Sequence, residues 1–187
     1  MTSMYHEFKP KISRHAHIIG KKNVEIGAFT VIEDYVLIDA TDNILSHISI
    51  GIRSKIKTGS ILRSFDGWIK IGNRVTVGPY CFIGGHGGVS INDCTIIAGL
   101  CYISAASHIH SLGEAMRFQG EEAKGIQIGR DVWIGANVIV LDGISIGDGC
   151  IIGAGSVVTR DMPPKTVCYG QPCRPIKKRP RYKKQRL

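Results

Sequence analysis

Seven histidines stand in this 187-residue chain, and three of them sit where a side chain could do chemistry. His108 and His110 open a stretch, Ser104 to Gln127, that also carries Arg117, Glu121 and Glu122. His86 lies in the run Gly84-Gly85-His86-Gly87-Gly88. An imidazole titrates near neutral pH, so it takes a proton from a weak nucleophile such as a hydroxyl and returns it to a leaving group. Three imidazoles and a water would instead make a zinc site. The six cysteines (Cys81, Cys94, Cys101, Cys150, Cys168, Cys173) contain no CxxC pair and read as compact core residues rather than a disulfide framework.

These side chains need a scaffold, and a repeat supplies it. Every sixth residue from Ile26 is aliphatic: Ile26, Ile32, Ile38, Ile44, Ile50, Ile56 and Leu62. A second series runs Ile128, Ile134, Val140, Ile146, Ile152 and Val158, and between them lie Ile71, Val77, Ile83, Val89 and Ile91, Ile97, Ile103. A period of six is neither helical nor a plain alternation. It fits short strands that each end in a sharp corner and point one aliphatic residue inward. Glycine often follows the aliphatic residue, as at Gly27, Gly78 and Gly135. Three such faces close a triangular coil of about eighteen residues per turn, and the repeats suffice for about six turns. Three breaks are expected: extra residues around Phe65 to Trp68, a small irregularity at Asn92-Asp93, and a projecting loop over about 104–127. Loops of that length in compact domains are commonly functional. An eighteen-residue turn sets His86 below residue 104, close to His108. Trp133, just before an inward position, is expected to face outward, and the aspartates at 131, 142, 148 and 161 to serve corner hydrogen bonds.

Composition bounds the rest. Hydrophobic residues make up 43% and charged residues 21%, so the chain folds. It has no apolar run long enough to span a bilayer and no apolar leader in Met1 to Lys11, so a cytoplasmic protein is expected. The net charge of +9 is local: eight Lys or Arg and no acid lie from Arg174 to Leu187, leaving the body near neutral. That argues against a nucleic-acid surface across the fold. The expected organisation is a repeat domain over 1–173 and a basic tail over 174–187.

The stretches Ile126-Gln-Ile-Gly-Arg-Asp-Val-Trp-Ile-Gly-Ala-Asn-Val138 and Ile152-Gly-Ala-Gly-Ser-Val-Val-Thr-Arg-Asp-Met-Pro-Pro164 resemble the hexapeptide-repeat acyltransferases. The likeness is to the sugar O-acetyltransferase branch, which holds the galactoside, maltose, capsule, colanic-acid and O-antigen enzymes. It is strong from about Ile69 to Lys178. The resemblance implies an all-β, left-handed parallel β-helix, a homotrimer, and acetyl-coenzyme A in a groove between adjacent copies, with no metal. It also implies His108 as general base and the Ala136 amide as oxyanion donor. Ala154, Thr159, Arg160, Arg174 and Lys177 then become coenzyme contacts, the guanidinium of Arg174 suiting a phosphate. Where relatives place an acidic acceptor contact this chain has His86, taken as a substrate contact that puts a galactoside-type acceptor in doubt.

The resulting expectation is acetyl transfer from acetyl-coenzyme A to a sugar hydroxyl of a cell-envelope glycan or its precursor, directly in a ternary complex. The tail could draw the protein weakly to an anionic membrane. Alternatives are N-acetylation of a nucleotide-linked amino sugar, antibiotic acetylation, a non-enzymatic scaffold, or a zinc carbonic-anhydrase-like site using His86, His108 and His110. The gap of two between the last pair is narrower than that zinc pattern calls for.

Overall fold

The computed structural model describes residues 8–41 and 44–182. They form a three-sided parallel β-helix of about seven turns, one more than the repeat count suggests. The first face stacks eight parallel rungs from Lys11–Ile12 to Thr166–Gly170, and an antiparallel strand, Cys173–Lys178, closes it. The second face has seven rungs, from His17–Ile19 to Val157–Val158, and the third six, from Val24–Ile26 to Ser145–Ile146. Parallel rungs bond only to the turns above and below, so each strand stays short and the stack grows along one axis.

Stacked aliphatic columns fill the prism, a single one on each of the first two faces and two on the third, and their spacing exposes a rule the sequence concealed. From first face to second the step between inward residues is six: Ile32 to Ile38, Val77 to Ile83, Ile97 to Ile103, Ile134 to Val140. From third to first it is again six: Ile50 to Ile56, Ile71 to Val77, Ile128 to Ile134. From second to third it varies: Ile38 to Ile50 takes twelve residues, Leu62 to Ile71 nine, Ile83 to Ile91 eight, Ile103 to Ile128 twenty-five, and Val140 to Ile146 six. All of these side chains are buried. The prism therefore has two constant corners and one variable corner.

This corrects three expectations. Ile44 is not a core residue: its side chain is 98% exposed, and it fits the series of six only because the step from Ile38 to Ile50 is twice six. The shift at Val89 to Ile91 is no irregularity at Asn92-Asp93, since both residues point inward from one third-face strand, as Ile69 and Ile71 do below them. Eighteen residues per turn holds late in the coil, where Trp133 pairs with Ile151, but Thr76 pairs with Ile96 twenty residues on.

Glycine's part also differs from simple turn-making. At Gly135 a Cβ would lie 2.5 Å from the Ala154 amide nitrogen of the next rung, so close stacking excludes a side chain there. Two residues on, Asn137 takes the left-handed conformation (φ 56°), as Tyr80 and Leu100 do on earlier turns. The corner acids reach across turns rather than bonding their own: Asp148 accepts from the Arg130 amide (2.8 Å) and Asp161 from the Ser145 amide (2.8 Å).

The strand Cys173–Lys178 runs across the boundary expected at residue 174, so the start of the basic segment is part of the sheet. Arg179 ties it down further, its Nη1 donating to the Asp131 carboxylate (2.8 Å) and backbone carbonyl (3.0 Å). Residues 183–187 of the tail lie outside the described residues. All six cysteines are free, and five are buried. Burial pushes the Cys150 thiol up to about 12.

Candidate active site

His86 and His108 both lie on the variable corner. Asp39, Arg63, Gly84 and Ser104 end successive second-face strands in one register, and the chain beyond each is free to differ in length. Gly84 pairs with Ser104, twenty residues on, so His86 stacks two residues deeper than an eighteen-residue turn would place it.

Beyond Ser104 the chain forms an antiparallel hairpin with Ser107 opposite Glu122 and His108 opposite Glu121. Its tip is organised by one side chain. Gln119 Oε1 accepts from the Ser111 amide (2.9 Å), while its Nε2 donates to the carbonyls of Ser111 (2.8 Å) and Glu114 (2.6 Å). The returning limb is fastened to the next rung, where the Asp142 carboxylate accepts from the amides of Lys124 and Gly125 at 2.9 Å each. The loop is long and without repeat, yet it is pinned at both ends and at its tip.

The His108 ring is 70% exposed, with Nδ1 3.5 Å from Glu121 Oε1. It stands at a cleft of about 550 Å³ lined among others by His110, Glu122, Lys124, Leu141 and Asp142. His110 Nδ1 lies 3.0 Å from the His108 carbonyl, so this second imidazole braces the turn. Lys124 pairs with Glu122 at 2.9 Å; that hydrogen bond holds the Glu122 carboxyl below its usual range and the ammonium above. His86 is only one-fifth exposed. It stacks on Phe65 (centroids 3.8 Å apart, 15° between planes), and its Nε2 lies 4.0 Å from Glu121 Oε2. One-fifth of its side chain remains open for the substrate contact expected of it.

The other expected site residues divide between places. Thr159 and Arg160 follow the strand Val157–Val158 on the variable corner, two rungs along from the strand that leads to His108. Ala136 and Ala154 lie on the constant corner at the opposite end of the second face, where Gly155, next to Ala154, donates its amide to the Ala136 carbonyl (2.8 Å). Arg174 and Lys177 sit on the closing strand of the first face, Arg174 opposite Tyr169. One chain thus separates His108 from Ala136 by the width of a face. Among the described residues no group of three or more His, Cys, Asp or Glu side chains is placed to hold a metal ion.

Residues 125–160, the turns that follow the hairpin, match the family model described as bacterial transferase hexapeptide (six repeats). These turns place that part of the chain in the hexapeptide-repeat family. Its β-helix is accordingly left-handed, as in the solved members of the family it resembles. This hexapeptide-repeat chain is 30% identical over 136 residues to the probable acetyltransferase Rv3034c of Mycobacterium tuberculosis, covering 72% of the chain and 45% of that protein. It is 42% identical over 91 residues to the galactoside O-acetyltransferase of Escherichia coli, covering 48% and 43%. The chain spans about half the length of the curated relatives it matches. Among solved structures, the polySia-specific acetyltransferase NeuO aligns with 95% of the chain and 80% of its own at a TM-score of 0.64 and 25% identity. A galactoside acetyltransferase in complex with coenzyme A aligns with 88% and 64% at a TM-score of 0.52 and 25% identity. The N-acyltransferase AntD of Bacillus cereus, at 23% identity and TM-score 0.62, shares the fold.

Sequence reasoning named Glu121 only as a loop residue and Phe65 only as part of a break. Neither belongs to the repeat, and their relation to His86 and His108 emerges only once the variable corner is stacked. The glycine pairs on either side of His86 are the feature of the sequence that marks close packing there.

Proposed function

We propose that this chain is a coenzyme A-dependent O-acetyltransferase acting on a sugar hydroxyl of a cell-envelope glycan or its precursor, with His108 as general base. The observation that carries the reading is an exposed imidazole on a pinned hairpin, beside a carboxylate and at the mouth of a cleft. The acetyltransferase relatives and the neighbour in complex with coenzyme A supply the class of donor. His108 takes the hydroxyl proton as the oxygen attacks the thioester carbonyl. The resulting oxyanion accepts a hydrogen bond from the Ala136 amide. Collapse breaks the C–S bond, and the imidazolium returns its proton to the coenzyme A thiolate.

Because His108 and Ala136 occupy different corners, the complete site needs a second copy of the chain, which supports the homotrimer with acetyl-coenzyme A between prisms. The constant corner beside Ala136 carries exposed Tyr80 and Leu100, and the adjoining face carries Ile96 and Trp133, an apolar surface suited to cover by another copy. Ala154 leaves room for the pantetheine arm, Thr159 lies along the donor, and Arg160, Arg174 and Lys177 face its phosphates. The tail beyond Lys177 offers further positive charge to an anionic membrane where lipid-linked glycans are assembled.

The test is free-thiol release from acetyl-coenzyme A in the presence of a panel of oligosaccharide acceptors. Wild-type protein is expected to turn over with at least one acceptor, and His108→Ala to do so about 10²-fold more slowly or worse. Equal turnover in the variant removes His108 as base.

A further inference from the structure

We infer that His86 and Glu121 form a brace that fixes the tautomer of His108, with the proton on Nδ1 and the lone pair on Nε2. The three groups run in order along the variable corner. His86 Nε2 faces one oxygen of Glu121 at 4.0 Å and His108 Nδ1 faces the other at 3.5 Å. The consequence for catalysis rests on the acyl-transfer reading; the brace itself does not.

The Nδ1 of His86 is buried and has no hydrogen-bond partner among the described residues. A neutral imidazole carries one proton and one lone pair. A proton on Nδ1 would bury an unpaired donor and aim a lone pair at a carboxylate. A proton on Nε2 aims an N–H at that carboxylate and leaves only an unpaired acceptor inside, the cheaper arrangement. His86 therefore faces Glu121 as a donor. Its ring plane is held by the stack on Phe65, and Phe65 in turn lies 4.6 Å under the Arg63 guanidinium.

The main chain sets the distance to the hairpin. The Gly87 amide donates to the Ala105 carbonyl (3.0 Å), and a Cβ at Gly87 would meet the Ala123 carbonyl carbon at 2.6 Å. The corner bearing His86 and the hairpin bearing Glu121 are thus packed backbone to backbone. Other groups nearby are already engaged: Lys124 pairs with Glu122, and His110 Nδ1 lies on the His108 carbonyl. Glu121 is left between the two imidazoles. With one oxygen facing the His86 N–H, the other presents a negative charge to His108 Nδ1 and favours its protonated form there. Nε2 is then the free base for a hydroxyl. Glu121 and His86 are positioning residues, acting through His108.

The test is nitrogen NMR of the full chain labelled with ¹⁵N-histidine, without ligands, at about pH 8.5, where an unrestrained imidazole is neutral. The His108 signals are assigned by their loss in His108→Ala. Wild type is expected to show His108 mainly as the Nδ1–H tautomer. Glu121→Ala should move the majority to Nε2–H, and His86→Phe, which keeps a ring on Phe65, should move it part of the way. His86→Gln, which retains an N–H, should restore the wild-type ratio. Thermal melts matching wild type show that each variant is folded. An unchanged tautomer ratio in Glu121→Ala overturns the brace, and so does a shift in Glu121→Ala with none in His86→Phe. The measurement involves no acetyl transfer, so its failure leaves the thiol-release result standing, and the reverse also holds.

Discussion

The two constant corners and the variable one obey different rules. At the constant corners every step between inward residues is six, because one residue more or less would turn the next strand's aliphatic side chain out of the prism. At the variable corner the step ranges from six to twenty-five, yet the flanking strands keep their register, as Gly84 with Ser104 and Ile91 with Ile128 do. The strands on either side are held by their own ladders, so an insertion costs only the slowly growing entropy of loop closure. A corner that tolerates length is where a stacked coil can carry chemistry, and both His86 and His108 are found there. The core fixes position, and the variable corner is where the chain is free to add the loop that bears His108.

The sharpest break of this contrast is to lengthen each kind of corner. One glycine inserted between Gly99 and Leu100, on a constant corner, is expected to abolish cooperative thermal unfolding. Two glycines inserted after Gly113, where a Cβ would meet nothing within 4 Å, should leave the melting curve nearly unchanged. Similar melts for the two proteins would erase the distinction.

Next in size is a pair of isoleucines. Ile103→Ala, at a fully buried side chain, should cost about 2–5 kcal/mol in denaturant unfolding. Ile44→Ala, at a position of the same apparent period but 98% exposed, should stay within about 0.5 kcal/mol.

A third effect belongs to the core alone. The Cys150 thiol is raised by burial to about 12, against about 8.5 for a free cysteine. Its contribution is fully present below the unfolded value and is lost as pH rises through the folded one. Thermal stability should therefore decline between about pH 9 and pH 12, by up to a few kcal/mol from this group. Cys150→Val should flatten that decline.

The smallest effect is local to the loop. Gln119→Ala removes three hydrogen bonds at the hairpin tip, and limited proteolysis between Ser111 and Gln119 should accelerate several-fold while global melting holds. Equal proteolysis would mean that Gln119 does not organise the tip.

The fold was legible because two corners in three repeat every six residues, and that regularity survives in the sequence as aliphatic spacing. The third corner was not, since its lengths follow no period: Ile44 fell into step by coincidence, and Val89 and Ile91 looked like a slip because two residues of one strand point inward. His108 was visible as a histidine opening a loop. Its relation to Glu121 was not, because the pair meets thirteen positions apart across a hairpin whose strands are two residues each, with no pattern between them. Phe65 and His86 meet only when turns of unequal length are stacked. That Ala136 and His108 stand on different corners also follows from the stacking and not from the motif.

The most direct test of the account is a crystal structure with coenzyme A bound. The thiol sulfur is expected within about 4 Å of a His108 ring, with the pantetheine arm passing Ala136 of a neighbouring copy. A sulfur lying tens of ångströms from His108 of every copy would contradict it.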